Sequence, residues 1–152
     1  MMSSTDRIEK KRLLRAPRDR VWRALTDPAE FGSWFGMRLD APRFEPRAHV
    51  RGRITIPEYA HVVVDMWITK LEPQRLFSYR WHPYAVDPAV DYSKEEPTLV
   101  EFVLEDAPGG TLLLASESGF DRIPIARRAE AYRMNTGGWE AQLENIAKHV
   151  EG

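Results

Sequence analysis

The stretch from Ile125 to Val150 sets the terms on which this chain can fold. Ile125, Ala129, Tyr132, Thr136, Trp139, Leu143, Ile146 and Val150 recur at alternating spacings of three and four residues, which places them on one face of an α-helix. Arg127, Arg133, Glu140, Glu144 and Lys148 fall on the opposite face. A long helix with one apolar stripe has to bury it. Most of the remaining sequence reads as strand, so the expected partner is a sheet. The pair Gly137–Gly138 sits inside the helix at a cost of about 1 kcal/mol per glycine relative to alanine. Two readings follow: close packing or a local bend, or room left between helix and sheet, which would make a cavity.

In chain order, Arg7 to Arg15 reads as a first strand. Ala16-Pro17 opens a helix in which Val21, Trp22 and Leu25 recur at helical spacing up to Thr26. Asp27 is an N-cap with Pro28 at the first helical position, so a second short helix carries Phe31, Trp34 and Phe35. Met37 to Phe44 and His49 to Ile56 read as strands broken by prolines. His61 to Leu71 is the strongest strand signal. A turn at Glu72 to Arg75 leads into Leu76 to Trp81, where Phe77, Tyr79 and Trp81 share a face and Ser78 and Arg80 the other. His82 to Pro97 has no periodicity and reads as a long loop of the kind that forms lids or binding segments. Thr98 to Leu104 and Thr111 to Ser118 form a hairpin about Ala107-Pro108-Gly109-Gly110. A meander of strands with segregated helices predicts an α+β fold with an antiparallel sheet.

Charge and composition exclude several classes. With 22 Lys and Arg against 23 Asp and Glu, the net charge of −1 provides no field for nucleic acid or a membrane. The basic run from Arg7 to Arg23 and the acidic run from Asp87 to Asp106 read first as solvated faces of opposite sign. Absence of cysteine removes disulfides, thiolate metal sites and a cysteine nucleophile. No apolar run serves as signal peptide or membrane span, so the expectation is a cytoplasmic protein, a single domain over residues 1–152. His49, His61, His82 and His149 show no metal-ligand spacing, and neither a phosphate loop nor a nucleophile elbow is present. No metal, cofactor or catalytic residue is expected.

Several motifs, taken together and in order, resemble one superfamily. Ala16-Pro17 followed by Val21-Trp22-Arg23-Ala24-Leu25-Thr26-Asp27-Pro28 and Trp34, the run Leu71-Glu72-Pro73-Gln74-Arg75-Leu76-Phe77-Ser78-Tyr79-Arg80-Trp81, Thr111 to Phe120, and Gly138-Trp139 are similar to the SRPBCC, or START-like, superfamily. The nearest branch resembles the C-terminal domain of the activator of heat-shock protein 90 ATPase. The resemblance implies a helix-grip fold: a curved antiparallel sheet around a long C-terminal helix, with a pocket between them. Superfamily members include lipid and hormone carriers and polyketide cyclases and aromatases, so fold alone does not assign function. The co-chaperone's separate N-terminal domain has no counterpart in these 152 residues, so chaperone activation is not the expectation.

In such a fold, core and pocket lining are largely the same positions. Trp67, Tyr79, Trp81 and Phe102 from the sheet, with Tyr132, Met134 and Trp139 from the helix and His82 at the loop, are the candidate lining. Glu117 is the ionisable candidate. Alternation puts it with Leu113 and Ala115, against Leu112, Leu114 and Ser116, and the family pattern assigns its face to the pocket; the competing arrangement pairs it with an arginine at the sheet edge. The expected function is binding of a small hydrophobic or aromatic ligand. The alternatives are a cyclase- or aromatase-like enzyme using Glu117, Tyr79 or His82, and a protein-interaction domain, co-chaperone-like or homodimeric through a sheet edge.

Overall fold

The structure is a computed structural model that describes residues 6–151. Strand β1 (Arg7–Leu14) is followed by helices α1 (Arg18–Thr26) and α2 (Pro28–Phe35), strands β2 (Met37–Leu39), β3 (His49–Ile54), β4 (Val63–Glu72), β5 (Leu76–Trp81), β6 (Thr98–Ala107) and β7 (Gly110–Ser118), and helix α3 (Ile125–Glu151). The strands form one antiparallel sheet in the order β1-β7-β6-β5-β4-β3-β2. This is the α+β helix-grip arrangement. The second strand ends at Leu39 rather than Phe44, and Pro42 and Pro46 in the connection to β3 cannot donate to a ladder. Phe44 nonetheless turns into the core.

The two short helices start and stop as their sequences dictate. Asp27 accepts from the Ala29 amide at 3.0 Å, and Gly36, at φ +93°, ends α2 in the left-handed conformation that glycine adopts without a Cβ clash. Gly32 allows close approach: a Cβ there would lie 2.3 Å from the Met37 carbonyl oxygen. These helices bring Phe31 against Trp34, Phe35, Phe44, Phe77, Tyr79 and Phe102. Glu30 ties α2 to both other helices, through Arg20 (2.6 Å), Arg23 (2.7 Å) and His149 (2.8 Å). Burial works to raise its pKa, but hydrogen bonds from His149 and Arg20 and the Arg20 charge, with Arg23, hold it at about 2 against an ordinary 4.5.

Helix α3 lies along the β1 side of the sheet. Lys10 pairs with Glu140 at 2.8 Å and Arg12 with Glu144, while the Tyr132 hydroxyl donates to the Arg7 carbonyl and the Arg15 amide donates to Glu151. Part of the charged face therefore holds the helix to an edge strand rather than facing water alone. The apolar stripe is buried from Ala131 onward, through Trp139, Leu143, Ile146, Ala147 and Val150. Its first turns differ from the spacing: Ile125 is 81% exposed and Ala129 is exposed. Arg127, expected on the solvent face, turns inward to Glu95 at 2.5 Å. That paired charge, not the apolar period, sets the rotation of the helix start.

Gly137 and Gly138 neither pack closely nor break the helix. A Cβ at either would meet nothing within 4 Å, and α3 continues through both. Gly137→Ala and Gly138→Ala are each expected to stabilise the protein by roughly 0.5–1 kcal/mol, through lower unfolded-chain entropy and better helix propensity. Thermal unfolding reads this out, and a lower Tm in both would contradict it. Glu30 supplies an acid limb. Its folded pKa is depressed, so its contribution is present above about pH 4.5 and is lost as pH falls towards 2. Glu30→Gln should lower stability at neutral pH and flatten that acid decline, as followed by urea unfolding across the range.

Candidate functional site

Helix α3 lies on the β1 side, and while Val50, Met66 and Ile68 of β3 and β4 are packed in the core, the Ile54 and Val64 end of these strands is only partly covered. The result is an open cleft of about 610 Å³, within the size range of small-molecule sites. Its inner part is bounded by Ile54 and Val64 of the sheet, by Phe35 and Trp81, and by Met134, Asn135 and Gln142 of α3. The loop between β5 and β6 closes over it with Tyr84, Val86, Val90 and Tyr92. That loop is secured from α3: Arg127 pairs with Glu95, donates to the Pro83 carbonyl at 3.0 Å, and lies 4.7 Å over the Tyr92 ring. His61 holds the far side of the loop through the Val86 carbonyl at 2.8 Å.

The cleft also reaches the outer face of the sheet. A bulge between Ile68 and Lys70, patched by the Ser78 hydroxyl at 2.6 Å from Thr69 and 3.1 Å from the Lys70 amide, sets the β4–β5 register. Trp67 is thereby opposite Arg80, and Ile68 opposite Tyr79. Met66 and Ile68 face the core, so Trp67 stands on the outer face with Asp65, stacked on His49 at 5.2 Å and edge-on to His82 at 5.5 Å. His49 and Arg51 both bond Asp65, which is held below the ordinary carboxylate value by those bonds working against burial. His82 is pushed below the ordinary imidazole value, first by burial, and its Nδ1 has no partner.

Behind the inner wall lies Glu117. Leu113, Ala115 and Glu117 share the buried face of β7, and Glu117 is 0% exposed. No arginine reaches it. Its Oε2 accepts from Trp81 Nε1 at 2.7 Å and Thr98 Oγ1 at 2.5 Å, and its Oε1 from Asn135 Nδ2 and Trp139 Nε1, both at 2.8 Å. Burial outweighs these four donors and raises its pKa. Two of the donors, Trp81 and Asn135, are also walls of the cleft.

Residues 15–151 match the family described as activator of Hsp90 ATPase homolog 1-like protein. The chain belongs to that family. Among solved structures it is similar to MLL2253 from Mesorhizobium loti, with 26% identity, a TM-score of 0.75, and 95% of this chain against 96% of that one. It is similar to DynU16, a protein of the dynemicin biosynthetic locus, at 25% identity and a TM-score of 0.72, covering 96% of this chain but only 47% of DynU16. The Aha1 dimer from Colwellia psychrerythraea, at 16% identity and a TM-score of 0.71 over 95% and 96% of the two chains, shares the fold. No curated protein matches the sequence.

Within this Hsp90-activator-like family fold, the sequence candidates separate into four groups. Trp81 and Met134 line the inner cleft, and Trp67 and His82 line its outer part. Tyr79, Phe102 and Trp139 are instead packed in the core, with ring centroids 5.7–6.2 Å apart between Tyr79, Phe102 and Trp139 in sequence. Glu117 is sealed behind the wall, and Tyr132 lies elsewhere, against Phe120 at 5.2 Å. The Tyr79 hydroxyl is buried without a hydrogen-bond partner, and burial, then the Glu117 charge, raises its pKa well above the ordinary value. Sequence reasoning missed Asn135, Ile54, Val64 and the Arg127–Glu95 tie. The acidic, proline-containing loop was the available signal for the last of these; a lone asparagine in a helix gives none. Among the described residues no group of three or more His, Asp or Glu is placed to hold a metal, and no described helix is long and apolar enough to cross a membrane.

Glu117→Leu leaves two indole N–H groups, an amide and a hydroxyl without their acceptor, and should cost at least about 3 kcal/mol. Glu117→Gln keeps one oxygen and should cost less. Because the folded carboxyl has a raised pKa, its stabilising contribution is complete below the ordinary value and is lost as pH rises through the folded one. The stability of the wild type relative to Glu117→Gln should therefore be greatest in acid and fall with pH, which denaturant titrations at several pH values would show.

Proposed function

We propose that this protein is a binding module whose cleft takes a small apolar or aromatic molecule. One observation carries the reading: of the six large hydrophobic side chains exposed among the described residues, four, Ile56, Val63, Val90 and Met134, border the cleft, and only Leu13 and Ile125 lie away from it. Apolar surface concentrated around one concavity marks a place where something is meant to cover it. Burial there would supply most of the affinity, at roughly 25 cal/mol per Å² of apolar area. DynU16's biosynthetic locus fits a role with small organic molecules.

The arrangement supports binding over proton transfer. General acid–base chemistry needs a group within about 3 Å of the reacting atom. Both Glu117 oxygens are engaged behind the wall and Tyr79 is enclosed in the core. Of the three groups expected to move protons, only His82 reaches the lining. Homodimerisation through a sheet edge has less support, because β2 is three residues long and α3 side chains occupy backbone groups at both ends of β1.

Met134→Trp fills the inner cleft from the helix side, whereas Leu13→Trp enlarges an exposed apolar residue of β1 outside it. A naphthyl fluorophore should bind wild type and Leu13→Trp alike and bind Met134→Trp at least about tenfold more weakly, a difference of about 1.4 kcal/mol. Equal binding by all three proteins would place the fluorophore elsewhere and remove the reading.

A further inference from the structure

The polar atoms of the inner cleft are few, and nearly all are already committed. Trp81 gives its N–H to Glu117. Gln142 donates to the Phe35 carbonyl at 2.8 Å and accepts from Asn145 at 3.1 Å. Asn135 donates to Glu117 through Nδ2, and its Oδ1 has no hydrogen-bond partner among the described residues. The orientation of that amide is not free. The indoles of Trp81 and Trp139 only donate, one to each Glu117 oxygen, and the Thr98 hydroxyl beside Oε2 can accept a proton held there, so Oε1 remains an acceptor whether or not the carboxyl is ionised; it meets the NH₂ end of Asn135 and leaves the carbonyl end for the cleft. The inner lining contributed by Phe35, Ile54, Val64, Trp81, Met134 and Gln142 is uncharged, and the nearest ionisable group behind it is the Glu117 acid.

We infer that the cleft selects an uncharged aromatic ligand that carries a hydrogen-bond donor, a phenolic hydroxyl or an aryl N–H, which bonds Asn135 Oδ1 while its ring lies along Trp81. Glu117 is then a positioning residue that sets the polarity of the site by fixing which end of the Asn135 amide a ligand meets. A carboxylate ligand would bring lone pairs to an acceptor and find no free cation in the inner part, since Arg51 is bonded to Asp65 on the outer side. The inference rests on the small-molecule reading above and narrows it to a ligand class.

Three probes with one ring system separate the possibilities: naphthol, methoxynaphthalene and naphthoate, measured by calorimetry. Wild type should bind naphthol about tenfold more tightly than methoxynaphthalene, as one hydrogen bond allows, and naphthoate most weakly. In Asn135→Leu the naphthol preference should shrink until the two neutral probes lie within about twofold of each other, whatever their absolute affinities become, whereas a merely loosened site would weaken both probes and keep their ratio. Equal affinity of the neutral probes in wild type, tightest binding of naphthoate, or a naphthol preference that persists in Asn135→Leu overturns the assignment and leaves the cleft as a binding site. No binding of any probe overturns both.

Discussion

The buried carboxylate of Glu117 is the interaction on which the rest of the structure depends. A carboxyl group enclosed in protein is costly unless its oxygens are hydrogen-bonded, and here four donors serve them. They come from β5, β6 and two positions of α3, while the carboxylate itself comes from β7. Hydrophobic contact alone would let a long helix slide or roll on a smooth sheet. A directional contact among four segments fixes the height and rotation of α3, and with it the gap between helix and sheet. The ion pairs of α3 with β1 act in the same direction at the surface, where each is individually weak.

The gap has two kinds of wall. Trp81 and Asn135 are fastened to the carboxylate and cannot change without disturbing the core. Ile56, Val63 and the loop residues Tyr84, Val86, Val90 and Tyr92 contact the cleft but not that cluster. Change at these rim positions alters what the cleft admits while the clip and the aromatic core around Phe31 stay as they are. Such a division would let one fold be fitted to different ligands.

Much of the fold is legible in the sequence. The three-and-four spacing finds α3, Asp27-Pro28 finds α2, and alternation finds β4 to β7, because each of these signals is local. What escapes local reading is set by partners distant in sequence. Arg127 turns inward because Glu95 and the Tyr92 ring await it, and no helical period encodes that. Trp67 stands apart from Tyr79 and Trp81 because a one-residue bulge at Thr69 fixes the register, which inverts the face on which a strand side chain lies. Glu117 is visible as a carboxylate on an alternating strand, yet its donors at 81, 98, 135 and 139 form no pattern until the chain is folded. The lining was harder still: aromatic content identified where large side chains are, not which of them a missing helix contact leaves uncovered.

Trp81 belongs to both worlds. One indole is at once a wall of the cleft and a donor to the enclosed acid. Its electronic environment must register whatever settles against the ring and also whether the carboxylate holds a proton. The chain thus carries a built-in optical gauge at the boundary between its interior and its cleft.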